Sequence, residues 1–230
     1  MRLLALDTAT EACSVALIDG DALIGREAEL ARGHTETLLA MIGEVLAEGG
    51  YTFARLDGLA ASIGPGSFTG VRVGVSVAQG LALGAGLPVV PVTTLEALAA
   101  QVRGGADERV LACLDARMGE VYWAGLRTDP ARGVAFEGRP AVGAPGTVRP
   151  PWGPLPCRGI GRGFDAHPSL AGLPGVELDP GHRRALPRAH EMARLGALRL
   201  ALGLGGDPAE LQPLYLRDKV ALTEAERAAK

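Results

Sequence analysis

The chain has 230 residues, of which 47% are hydrophobic and 21% charged, and its formal net charge is −3. That balance supports a buried core in one large or two small domains and argues against disorder over most of the chain. An acidic chain with only 4% aromatic residues has neither the global basic field nor the stacking platform of a strong nucleic-acid binder.

From the N-terminus, residues 2–7 (RLLALD) read as a buried strand ending in Asp7, and 13–18 as a second. The Asp19-Gly20-Asp21 turn leads to a third at about 22–30. Residues 34–48 are helical and 57–63 form another strand. Residues 69–85 have the length of a helix, although Val71, Val73, Val75 and Val77 alternate as in a strand. Strand 88–92 and helix 94–102 complete a β-β-β-α-β-α-β-α order.

The opening pattern then recurs. Residues 4–18 and 112–126 share a strand–Asp–turn–strand form in which Asp7 aligns with Asp115, and so long a period implies duplicated domains. The expected division is a first lobe over 1–105, a second, reduced lobe over 106–217 and a charged, Ala-rich tail over 218–230, with the boundary near 103–108. Residues 129–187 hold 11 of the 16 prolines and 11 of the 33 glycines, so short strands and turns are expected there. One helix follows around 187–203, and 213–217 (PLYLR) reads as a short strand or turn. Two such units in tandem suggest an α/β fold of actin-like, ribonuclease H-like lobes, in which a nucleotide sits between the halves.

The segment GPGSFTGVRVG at 64–74 is the most unusual. Gly64-Pro65-Gly66 forces a sharp turn, and Ser67 or Thr69 can cap the following helix. Two readings stand side by side. Free amides at the helix start suit an anion, making Asp7, Thr8, Thr10, Gly66 and Ser67 nucleotide-binding candidates. Alternatively, the glycines only let two backbones approach closely. No Walker A lysine follows, no GxSxG elbow exists, and the carboxylates are too dispersed for a two-metal nuclease. His34 has Leu38, not a second histidine, at i+4, so no metal pair forms. Leu38, Leu39, Met41, Ile42, Val45 and Leu46 make an apolar face wider than one core needs, while Gly70, Gly74 and Ala78, and Ser76, Gly80 and Gly84, form smooth stripes. Cys13, Cys113 and Cys157 lie outside any CxxC pair, and no 18-residue apolar window is present. A reducing cytoplasm without a membrane span is expected.

DTAT at 7–10, HTETLL at 34–39, GPGSFTGVRVG at 64–74, VTTLEALA at 92–99, DARMGEVYWA at 115–124 and PLYLR at 213–217 resemble the TsaB (YeaZ) family of tRNA threonylcarbamoyladenosine biosynthesis. The resemblance implies a scaffold without catalytic residues, paralogous to TsaD, the enzyme that transfers threonylcarbamoyl to the adenosine next to the anticodon of ANN-decoding tRNAs. TsaD-type proteins carry an HxxxH metal pair; here His34 matches its first histidine and Leu38 replaces the second. Some members of the family bear a glycoprotease-like description, and the missing histidine argues against an active peptidase. The implied partners are a TsaD-like subunit and a TsaE-like ATPase, with a homodimer in their absence and tRNA reached only through the complex. The implied contact residues are His34, Leu38, Met41, Ile42 and Val45 on the first helix, and Thr69, Arg72, Val75, Ser76, Ala78 and Gly80 on the second. An arginine at Val75 or Ala78 is expected to break that contact without unfolding the chain. No intrinsic cofactor is implied, any ATP or ADP sitting at the interface with partners. The competing expectation is an independent nucleotide-dependent kinase or ATPase using Asp7, Thr8, Thr10 and the 64–70 turn.

Overall fold

The two halves of the chain repeat one strand order. In the first, Arg2–Asp7 (β1), Ala12–Asp19 (β2), Ala22–Glu29 (β3), Gly58–Ser62 (β4) and Val89–Val92 (β5) form a sheet ordered β3-β2-β1-β4-β5. In the second, Arg109–Arg117 (β6), Glu120–Asp129 (β7), Gly133–Gly143 (β8), Cys157–Ile160 (β9) and Val176–Glu177 (β10) give the matching order β8-β7-β6-β9-β10. Each sheet has three antiparallel strands extended by two parallel ones. This is the tandem actin-like α/β architecture expected from the sequence. The computed structural model describes residues 1–102 and 105–217; residues 103–104 of the expected boundary and the tail 218–230 lie outside the described residues.

Strand β1 is apolar from Leu3 to Leu6 because both its faces are covered there. Leu4 and Leu6 join Val15 and Leu17 in a core capped by the helices His34–Gly49 (α1) and Phe68–Ala85 (α2). Leu3 and Ala5 point the other way, with Ala16 and Ile18, into a core between the two sheets. That central core holds the helices Thr94–Ala99 (α3) and Ala189–Ala201 (α5). The fourth helix, Gly163–Ala166 (α4), is one turn beside β6.

The two halves exchange their last helices. Helix α5, late in the chain, packs on β1, β2, β4 and β5 of the first sheet, whereas α3 packs on β6, β7 and β8 of the second. Gly196 permits the close approach of α5, since a Cβ there would stand 2.6 Å from Ala60 Cβ. The buried ion pair of Glu96 and Arg199 ties α3 to α5. Glu96 also closes a capping box with Thr93, which starts α3.

The strand-like alternation of valines over 71–77 resolves as helix. Val71, Val75, Ala78 and Ala82 lie one helical turn apart along the buried stripe, with Ser67 as N-cap and Gly86 in the left-handed conformation as C-cap. Three elements differ from expectation. Helix α3 stops at Ala99 instead of 102, and α5 begins at Ala189, two residues beyond Pro187. Within the Pro/Gly-rich stretch, β8 runs for 11 residues, kept paired through a register shift opposite Trp123 and Gly125. Residues 213–217 adopt no regular structure, yet the Leu214 amide donates to Ile63 O (2.8 Å) and ties them to the first sheet.

Candidate functional site

The turn after β1 and the 64–70 turn are built against each other. Asp7 is fully buried; Oδ1 accepts from the Ala9 amide (2.9 Å), and Oδ2 has no partner of standard hydrogen-bond geometry. Desolvation outweighs the nearby amides of Ala9 and Thr8 and the hydroxyl of Ser62, and pushes the Asp7 carboxyl up to about 6. The Thr8 hydroxyl donates to Gly70 O (2.7 Å), and the Ser67 amide donates to Ala9 O (2.7 Å). A Cβ on Gly66 would stand 2.1 Å from Ala9 O, and one on Gly70 2.1 Å from Thr8 O. Ser67 Oγ accepts from the Gly70 amide (3.2 Å) as N-cap. The glycines of this motif therefore admit two neighbouring backbones, as the second of the two sequence readings holds.

Of the five nucleotide candidates, the structure brings Thr10, Gly66 and Ser67 to a cavity between the halves and removes Asp7 and Thr8 from it. Both are buried, and neither lines it. Thr10 Oγ1 accepts from the Ala12 amide (3.2 Å). The cavity, about 240 Å³, is closed on the far side by Asp115, Arg117, Tyr122, Arg162 and Asp165. Its charged groups largely neutralise one another. Arg117 pairs with Glu11 across the halves and with Asp115 (3.2 Å). Arg162 Nη2 donates to both oxygens of Glu29 (2.7 and 2.8 Å), again across the halves, and Asp165 meets Arg183 (3.3 Å). The sequence held no signal for these cross-lobe pairs. Among the described residues no three His, Cys, Asp or Glu side chains come together as a metal site. Burial pushes the thiol of Cys13 up to about 11, with the charge of Asp7 adding to it, and raises Cys113 further, so neither is a ready nucleophile.

Helices α1 and α2 hold the remaining candidates, and burial divides them. His34 is a structural clip: its Nε2 lies 3.1 Å from Thr10 O, and its own carbonyl accepts from Cys13 Sγ. Leu38, Met41, Ile42 and Val45 are buried against the first sheet, as are Val75 and Ala78. These six are core and not surface, because the first sheet, the neighbouring helix and nearby loop residues fill the wide apolar stripe; of that stripe only Leu39, 50% exposed, faces outward. The expectation that an arginine at Val75 or Ala78 spares the fold is corrected accordingly. Thr69, Arg72, Ser76 and Gly80 do lie exposed along α2, joined by Leu83. A Cβ on Gly80 or Gly84 would meet nothing within 4 Å, so this face is open and nearly smooth. Two exposed aromatic residues flank its start, Phe68 (47%) and Tyr215 (52%), the latter from the PLYLR segment.

A family model described as TsaD, tRNA N6-adenosine threonylcarbamoyltransferase, matches residues 28–134. The tRNA threonylcarbamoyladenosine biosynthesis protein TsaB of Escherichia coli is 42% identical over 226 residues, covering 96% of each chain. The TsaB protein of Haemophilus influenzae is 37% identical over 230 residues, covering 96% of this chain and 95% of its own. Among solved structures, YeaZ from Pseudomonas aeruginosa superposes with a TM-score of 0.84 at 36% identity, over 94% of this chain and all of that one (100%). A Pseudomonas aeruginosa protein described as similar to peptidase YeaZ gives 0.86 at 37% identity, over 94% and 99%.

Proposed function

This chain belongs to the TsaB family of tRNA threonylcarbamoyladenosine biosynthesis proteins, and from that membership we propose that it is a scaffold and activator without catalytic residues of its own. In this reading a TsaD-like subunit performs the transfer of threonylcarbamoyl to tRNA, and this chain holds that subunit. A TsaE-like ATPase joins the pair, and tRNA is reached only through the complex. The outer face of α2, with Leu39 of α1, carries the contact, and a second copy of the chain takes that face when the partner is absent. The assembly works in the cytoplasm; among the described residues no helix is long and apolar enough to cross a membrane.

The observation that carries the proposal is the sealed first turn. In an actin-like enzyme the Asp and hydroxyls of that turn must reach a phosphate or its metal. Here Asp7 is fully buried and the Thr8 hydroxyl is committed to Gly70 O. Opposite, the second turn offers Ala116, Arg117 and Met118 with no hydroxyl. The matching experiment has two arms. Purified chain should turn over no ATP, and it should restore tRNA modification only when added to the TsaD-like and TsaE-like subunits. ATP hydrolysis by the chain alone, lost on Asp7→Ala, would overturn the scaffold reading in favour of a nucleotide-dependent enzyme.

A further inference from the structure

The stretch 211–217, which ends in PLYLR, crosses from the first sheet to the second half and touches α2 on the way. Leu214 bonds Ile63 O, Gln79 Nε2 donates to Leu211 O (3.1 Å), and Arg217 Nη2 donates to Ala116 O (3.1 Å) and pairs with Glu120. At its centre Tyr215 meets Arg72. The Arg72 Nε–H donates to the Tyr215 hydroxyl (2.8 Å), and the guanidinium carbon lies 3.4 Å from the Phe68 ring centroid and 5.5 Å from that of Tyr215. The guanidinium is thus held by a ring face and a hydroxyl, although Phe68, Arg72 and Tyr215 are all exposed.

Arg72 makes no ion pair among the described residues, whereas Arg2, Arg26, Arg127 and Arg158 each do. Its one hydrogen bond among the described residues uses Nε, so among them the two terminal amino groups meet no acceptor. A planar fork fixed in advance loses little entropy on binding, and its geometry matches a carboxylate. The first 102 residues carry eleven acidic groups against five arginines, and α1 alongside presents Glu36, Glu44 and Glu48 to solvent. A phosphodiester backbone would meet that field charge after charge, while a single carboxylate on a protein surface meets mainly the fork. Ser76 and Gly80 continue the face one and two turns further, small enough for a partner helix to come close.

We propose that Arg72 is a preoriented receptor for an aspartate or glutamate side chain of the partner protein, and that Tyr215 is the residue that positions it. The proposal rests on the scaffold reading above and adds the chemistry of the contact. The test is the affinity of the full chain for its cognate TsaD-like subunit, measured by calorimetry at low and high salt. Arg72→Ala should weaken binding by about tenfold or more, as loss of a charged hydrogen-bonded pair does. Arg72→Lys, which keeps the charge but not the fork, should fail to restore it. Tyr215→Phe should weaken binding by a smaller factor and have no further effect in an Arg72→Ala background. Added salt should narrow the gap between wild type and Arg72→Ala. Wild-type chain that does not bind the subunit overturns the scaffold reading and this one together. Wild-type binding that Arg72→Lys reproduces overturns the carboxylate receptor alone. A Tyr215→Phe loss that adds in full to that of Arg72→Ala overturns the positioning role.

Discussion

Neighbouring positions on α2 separate folding from docking. Ala78 is fully buried against the first sheet, in contact with the core of Leu4, Leu6 and Val75, while Ser76 two residues earlier faces solvent. An arginine at 78 carries an unpaired guanidinium into that core, which costs about 3–5 kcal/mol. Forcing the extra atoms into a packed site adds about 1–3 kcal/mol. Against a total stability on the order of 5–15 kcal/mol, that is enough to melt the domain or leave it aggregated. An arginine at 76 stays in water and changes stability by about 0.5 kcal/mol or less. If the outer face of α2 meets a partner helix, the same residue buries a charge between two proteins, and a loss of about 3 kcal/mol lowers affinity more than a hundredfold. Thermal melting and calorimetric titration with the TsaD-like subunit read the two effects separately. Ser76→Arg that folds and binds like wild type refutes the docking face; Ala78→Arg that melts like wild type refutes the packing of α2.

Three further outcomes follow from the buried groups. The Asp7 carboxyl titrates near 6 in the folded chain against 3.8 for an ordinary aspartate, so between those values the folded state binds the extra proton. Stability is therefore lost as pH rises from about 4 to about 6, by about 3 kcal/mol in all, and stays flat above. Asp7→Asn should flatten that slope in urea midpoints taken from pH 4 to 8, and an unchanged slope would exclude Asp7 as its source. Gly70→Ala sets a Cβ 2.1 Å from Thr8 O with backbone on both sides, for a loss of about 3 kcal/mol and about 6–12 °C in melting temperature, whereas Gly80→Ala meets nothing and should be neutral or slightly stabilising. Arg199→Ala leaves Glu96, only 9% exposed at its side chain, without its cation, and should cost about 3–5 kcal/mol while unfolding stays a single transition, because the exchanged helices bind the two sheets into one core.

The strands and long helices were legible in the sequence because their punctuation is local. Ser67 before α2 and the Gly20 turn between β2 and β3 each act within a few residues. The exchange of α3 and α5 was not legible, since the apolar stripe of either helix fits the inner face of either sheet. The same ambiguity misplaced Val75 and Ala78. Helical periodicity says that Val71, Val75, Ala78 and Ala82 share a stripe, but not whether a sheet or another protein covers it. Small size marks Ser76 and Gly80, which are exposed, but it marks Gly70 and Gly74 equally, and these are buried. In the sequence Tyr215 belongs only to a short strand or turn, PLYLR. Its bond to Arg72 spans 143 positions, beyond the reach of any local pattern.

The two readings of GPGSFTG turn out to share one geometry. Helix-start amides and the absence of a Cβ are what a phosphate needs from a loop, and they are equally what a backbone carbonyl needs. In this chain the oxygen that meets the Ser67 amide is Ala9 O, and the group that fills the space at Gly70 is Thr8 O. The chain's own turn thus supplies the acceptors that a ligand would otherwise bring. A lobe closed in this way gains rigidity from both contacts and leaves Asp7 fully buried. What stays accessible on α2 is its outward side, from Thr69 to Leu83, and this is the surface that the scaffold reading assigns to a partner.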